Sequence, residues 1–311
     1  MRKLGSSALW ALACLLFFVP MALASPADLR LREAIEHGDA EAVRVAIRGG
    51  ANPNAEIETK SFDGSIFRRP AVIYAVRSVD QYPDVVIALI EGGADVEAVM
   101  PVESRLTKAH FSLLLLTFPR MHVETDPLKM EGMMRAFSAI VEGGADVNWP
   151  NDMNPDEGEP YVETFYPIHD AVMIPLQEYA IRACALLFDH GADVNQRTFP
   201  LSGITPLMFA SAHIYPSPEP DRSPLVRFLV ERGADVNAAT AEGSSVLHIA
   251  AESASAQTVR TLIELGAWTT TRDDQGRTPF GAAMTHGEVE SALVIYQYEK
   301  SLRQEREKTI D

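Results

Sequence analysis

The chain has 311 residues, 27 of them basic and 43 acidic, for a net charge of −16, with 47 % hydrophobic residues and two cysteines. Nucleic-acid binding needs clustered Lys and Arg to displace counterions from phosphates; no such cluster is present, so the composition argues against that class. The acidity suits either solubility or the steering of a cationic partner.

The chain starts Met1-Arg2-Lys3, runs apolar from Ala8 to Val19, and reaches Ala22-Leu23-Ala24 before Ser25. A basic start, an apolar run too short for a bilayer and an Ala-x-Ala ending predict a signal peptide over 1–24, cleaved after Ala24. Loss of Arg2 and Lys3 takes the net charge from −16 to −18 and leaves Cys184 as the one cysteine, so no intramolecular disulfide is available to the mature chain. Cys184 falls at an apolar position and reads as a buried, inert thiol. No later stretch is long and apolar enough to cross a bilayer, so the mature chain is expected to carry no membrane span.

From residue 50 onward one tetrad recurs: Gly50-Ala51-Asn52-Pro53, Gly93-Ala94-Asp95-Val96, Gly144-Ala145-Asp146-Val147, Gly191-Ala192-Asp193-Val194, Gly233-Ala234-Asp235-Val236 and the degraded Gly266-Ala267-Trp268-Thr269. Successive alanines are 43, 51, 47, 42 and 33 residues apart, which is a repeat padded by insertions of unequal length. Apolar residues sit three, four, seven and eight places before each Gly, as in Val85, Val86, Leu89 and Ile90 or Leu225, Val226, Leu229 and Val230. That spacing predicts one helix face, stopped by a Gly in the left-handed conformation. Ahead of these helices stand Thr205-Pro206-Leu207-Met208-Phe209-Ala210 and Thr278-Pro279-Phe280-Gly281-Ala282-Ala283, each predicting a short capped helix. Tyr166-Pro167-Ile168-His169, Ser245-Val246-Leu247-His248 and Thr107-Lys108-Ala109-His110 are variants, and Pro70 takes the Thr place before Ala71.

These two motifs, in fixed order, resemble the ankyrin repeat family, with its Thr-Pro-Leu-His-x-Ala start and Gly-Ala-Asp-Val-Asn ending. The resemblance covers residues 25–311 and implies an all-α, ankyrin-repeat solenoid of about seven helix-turn-helix repeats with irregular loop insertions. Repeats would end near 54, 98, 148, 195, 237 and 270, with a C-terminal capping repeat over 271–311. His169 and His248, on the motif's own His position, are implied to hydrogen-bond between neighbouring repeats. The insertions Glu56 to Arg69, Pro119 to Pro127, Trp149 to Phe165 and Tyr215 to Pro224 read as irregular, the Pro-rich acidic ones especially.

Motifs for phosphate binding, dinucleotide binding, zinc proteolysis and serine hydrolysis are missing, so the reading is of a non-enzyme with no cofactor and no metal. Asp273-Asp274-Gln275-Gly276 lacks the distal ligands of a calcium loop and reads as a turn. The remaining candidates are large or cationic side chains in inter-repeat segments: Phe62, Phe67, Arg68, Trp149, Tyr161, Phe165, Arg197, Phe199 and Trp268. Such aromatics either fold back over the core or anchor a partner. The expectation is a monomeric, periplasmic scaffold that binds another protein of unknown identity through its loops and inner helices. The partner is a toxin or an envelope enzyme, and the role that of inhibitor, immunity protein or helper. The alternative is a hydrolase or small-molecule site built from Asp152, Asp156, Glu157 and Glu159.

Overall fold

A computed structural model describes residues 25–60, 66–103, 107–150, 152–155, 164–199, 201–212, 221–253 and 255–310. The segment 1–24 expected to be a signal peptide lies outside the described residues. Helices follow in consecutive pairs, an inner helix then an outer one: α1 (Pro26–Glu36) with α2 (Ala40–Arg48), then α3 (Ala71–Val76) with α4 (Pro83–Glu91). A 3-10 turn (Leu115–Thr117) running into α5 (Phe118–Met121) pairs with α6 (Pro127–Glu142), and α7 (Pro167–Val172) with α8 (Gln177–Asp189). The series continues with α9 (Pro206–Ser211) and α10 (Ser223–Glu231), α11 (Val246–Ser253) and α12 (Ala256–Glu264), and α13 (Pro279–His286) and α14 (Val289–Ile310). Inner helices pack on inner and outer on outer, and one continuous core runs from Ala27 to Ile295.

The tetrads do what their chemistry predicts. Gly50, Gly93, Gly144, Gly191, Gly233 and Gly266 have φ between 90° and 99°, a conformation that a Cβ would penalise. The next alanine then donates its N–H to a carbonyl five residues back, as in Ala94 to Leu89 (2.9 Å) and Ala234 to Leu229 (3.0 Å). These are the closing bonds of the Gly-terminated helix end. Thr205 and Thr278 cap α9 and α13 by accepting from the N–H groups of Met208 and Gly281.

The residue that follows the tetrad closes the link between repeats. Asn195 donates its amide to the carbonyl of Gly233 (3.0 Å) and accepts from the N–H of Asp235 (2.9 Å). Asn54 and Asn237 do the same to Gly93 and Asp95 and to Gly266 and Trp268. The histidines make the parallel link among inner helices. A backbone N–H donates to Nδ1 of His169 and of His248, which leaves the proton on Nε2 facing the carbonyls of Gln196 and Arg277, each at 3.0 Å.

The all-α expectation needs correction in the insertions. β1 (Glu56–Lys60) and β2 (Ile66–Pro70) pair as an antiparallel ribbon in a segment expected to be an irregular loop. β3 (Val99–Glu103), β4 (Thr107–Ser112) and β5 (Asp152–Pro155) form a three-stranded antiparallel sheet in that order. Pro155 misled the reading: it lies on the edge strand β5, a place where a missing N–H breaks no central ladder. Thr107 to His110, taken as a helix start, belongs to β4, and the inner helix begins only after Ser112, whose Oγ accepts from the N–H of Leu115 (3.3 Å).

Removing the Asn195 amide strips two bonds from one junction, so Asn195→Ala is expected to lower unfolding free energy by about 1–3 kcal/mol. Urea titration checks this, and Asn195→Asp, which keeps the acceptor, should recover part of the loss.

Candidate functional site

Two classes of position are candidates, one on the inner helices and one in the inter-repeat segments, the fingers of the array. The first is a row on the inner helices at the place before the motif's small residue: Tyr74, Leu116, Asp170, Phe209 and Ile249, all half-buried. Four are apolar and pack on the core. The fifth is a carboxylate, and no sequence motif marked it.

Asp170 sits on α7, its side chain only 16 % exposed. Its Oδ2 is buried and accepts no hydrogen bond. Its Oδ1 is 3.9 Å from Nε2 of His122, which bridges the preceding pair to α7 through the Asp170 backbone carbonyl at 2.8 Å. The His122 ring stacks on Phe118, with centroids 5.9 Å apart. Burial pushes the Asp170 carboxyl up to about 7. It also lowers the His122 imidazole, against a smaller opposing effect of its bond to Asp170. Both groups are therefore held toward their neutral forms, which is what a low-dielectric junction imposes on an acid and a base. Since Nε2 is engaged by a main-chain carbonyl, the geometry is that of a repeat-to-repeat contact. The only hint in the sequence was an acid where the other inner helices carry an apolar residue.

The second class is the inter-repeat segments, where the expected site residues divide. Phe67 on β2 is 46 % exposed with the Arg69 guanidinium 5.3 Å from its ring centroid, and Arg68 pairs with Glu58 directly across the ribbon at 2.7 Å. Phe199 is 65 % exposed, its backbone bridged to Thr164, and Trp268 is 61 % exposed. Trp149 and Phe165 fold back: Trp149 packs against the core, and the Phe165 ring lies 5.7 Å from Phe209 and 6.2 Å from His169. Arg197 staples two segments together, its Nη1 donating to the carbonyls of Gly203 and Ala239 at 2.8 Å each. Phe62 and Tyr161 lie outside the described residues.

Of the four carboxylates in the alternative reading, Asp152 is on β5, and Asp156, Glu157 and Glu159 lie outside the described residues. Among the described residues no group of three His, Cys, Asp or Glu stands close enough to hold a metal ion, and no helix is long and apolar enough to cross a membrane. Asp273 takes three hydrogen bonds within its own turn, from the Gln275 N–H, the Arg277 N–H and the Arg277 side chain. Cys184 is buried, which pushes its thiol up to about 12 and keeps it protonated.

The family model for ankyrin repeats, in three copies, matches residues 217–305. The chain is 29 % identical over 193 residues to mouse ankyrin repeat and SOCS box protein 6, covering 57 % of this chain and 41 % of that one. It is 32 % identical over 156 residues to the human form, covering 48 % and 32 %. The chain thus spans less than half the length of these curated relatives. The ankyrin repeat domain of human ASB11 superimposes with a TM-score of 0.54 at 21 % identity, over 85 % of this chain and 96 % of that one, which shows the shared fold.

The buried carboxyl carries a pH signature. Its raised value means that the native state holds a proton which the unfolded chain, near the ordinary value of 3.8, has already released. This group's contribution therefore falls as pH rises from about 4 to about 7, and its full cost, up to about 4 kcal/mol, is present above 7. Asp170→Asn is expected to raise stability by about 2–4 kcal/mol at pH 8 and by little at pH 4, read from thermal melts across that range. Parallel pH curves for the two proteins would contradict it.

Proposed function

Because the chain carries ankyrin repeats, which are protein–protein interaction modules, we propose that it is an exported scaffold that grips one partner protein with its fingers and inner helices. The array counts seven repeats on this reading, one for each helix pair. The observation that carries it is the division among aromatics: Trp149 and Phe165 are covered, whereas Phe67, Phe199 and Trp268, all between repeats, stay 46–65 % exposed. Large apolar side chains held open on one kind of segment are the usual anchors of a protein interface. A solenoid adds the long continuous surface on which such anchors act together.

Export rests on the sequence of residues 1–24, which has the order basic, apolar, small-residue cleavage site. It places the mature chain in a periplasm, where the partner is a toxic or hydrolytic enzyme to be inhibited or an envelope enzyme to be assisted. The net charge of −16 favours a partner with a basic surface, since opposite fields speed encounter.

Affinity capture from envelope extract is expected to recover one protein at about equal stoichiometry. Phe199→Ala and Trp268→Ala should each weaken its retention about tenfold without changing the thermal melt. Failure to recover any stoichiometric protein, or retention undiminished in the double variant, would overturn the reading.

A further inference from the structure

The last helix of the described residues is built unlike its counterparts. α14 has 22 residues, whereas the outer helices α10 and α12 have nine each. Ser291, Ala292, Val294 and Ile295 bury one side of its first turns against the array. From Arg303 to Lys308 every residue is exposed, so the preceding helix pairs do not cover those turns. A helical extension of this kind is marginal in water unless something packs on it.

On the open side, Val289 (67 % exposed), Leu293 (51 %) and Tyr296 (50 %) stand four and three residues apart, which is a single stripe along a helix. The stripe continues through Lys300, Arg303 and Glu307. Charge is divided along the same length. Before Lys300 the helix carries Glu290 and Glu299 and no Lys or Arg; from Lys300 to Lys308 it carries Lys300, Arg303, Arg306 and Lys308 against Glu305 and Glu307. The macrodipole favours acids in the first turn and bases in the last, but it gives no reason for an exposed apolar stripe beside them.

A parallel copy would set acidic half against acidic half and leave both extensions bare. An antiparallel copy sets the apolar, acidic half of one helix against the long-stemmed, basic half of the other, and opposes the two dipoles as well. We propose that α14 pairs antiparallel with α14 of a second copy of this chain, about a two-fold axis near Tyr298, in place of the monomer expected from the sequence. In that register Tyr296 faces Lys300 of the second copy, ring against ammonium, and Leu293 lies on the aliphatic stem of Arg303. Glu290 comes alongside Lys308 on the flank, and the two-fold axis repeats each contact. The pairing involves none of the finger residues, so it stands apart from the partner-binding reading.

Sedimentation equilibrium on the chain from Ser25 onward, which contains every helix pair, tests it at concentrations up to about 1 mM. The expected result is a mass that doubles with concentration, and a single monomer mass for Leu293→Glu with Tyr296→Glu. Both positions are exposed, so circular dichroism and melting temperature should be unchanged in that variant. Glu290→Lys and Lys308→Glu are each expected to weaken association about tenfold, because each pair occurs twice, and the two together should restore it. A monomer at all concentrations, or a dimer indifferent to the stripe variants, overturns the proposal. A dimer that the stripe variants abolish but the charge reversals do not rescue overturns the antiparallel register.

Discussion

An asparagine side chain that reaches from one turn to the backbone of the next is the bond on which this stack depends. In Asp193-Val194-Asn195 the Asp carboxylate accepts from the Asn N–H at 2.9 Å and holds its backbone, so the Asn amide is aimed before it meets the next repeat. The left-handed Gly supplies the other half, because its conformation turns the helix end and leaves a carbonyl for that amide. Three small residues thus serve a local turn and a long-range link together. Where Glu97 replaces the Asn, one bond survives, its Oε1 accepting from the Asp146 N–H at 2.7 Å. The link explains Trp268 as well. Asn237 takes hold of the Trp268 backbone N–H, so the side chain at that place is not part of the bond and is free to be large.

How far the sequence could be read follows from how local each signal is. Helix ends and caps are set by residues within a few places of each other, so the tetrads and the Thr-Pro motifs located them; the His bridges reach 27 and 29 positions and were legible only through the motif's own His position. The fingers are not local in that sense. Glu58 and Arg68 meet only because the ribbon closes, and β5 pairs with β4 across about forty residues. Pro155 looked like a loop residue, and Thr107 looked like a cap because its neighbours matched a motif by chance. The exposed aromatics were found as residue types, but which of them would fold back depended on neighbours such as Phe209. Asp170 was passed over because its partner His122 lies 48 positions away in an insertion.

The outer helices reveal how so acidic a chain tolerates its own charge. Arg44 pairs with Glu91, Arg135 with Asp84, Arg182 with Glu131 in two bonds, Arg232 with Asp189, and Arg227 with Glu264. Each joins one outer helix to the next, from α2 to α12. Exposed pairs of this kind are worth about 0.2–1 kcal/mol each, too little to hold the stack but enough to keep neighbouring helices from repelling. The arginines are thus occupied between repeats, and the surplus carboxylates remain as the field that an approaching partner meets.

In a one-dimensional stack each unit is stabilised by its own core and by its two neighbours, so a change in a finger disturbs nothing beyond the adjoining turns. That is why segments as different as the β1–β2 ribbon and the single Ala239–Ser245 bridge can each precede an inner helix. Variation in the core is held to a stricter standard, because an unsatisfied group there weakens the junction it sits in. Asp170 is the exception inside the array, a carboxylate in an apolar row, set against an imidazole that burial also keeps toward its neutral form. The array gives up stability at this junction, and departures of that kind concentrate where a protein's work is done. The junction between the α5–α6 and α7–α8 pairs is accordingly where a buried carboxylate oxygen without a hydrogen bond works against the Arg182–Glu131 pair that ties α6 to α8.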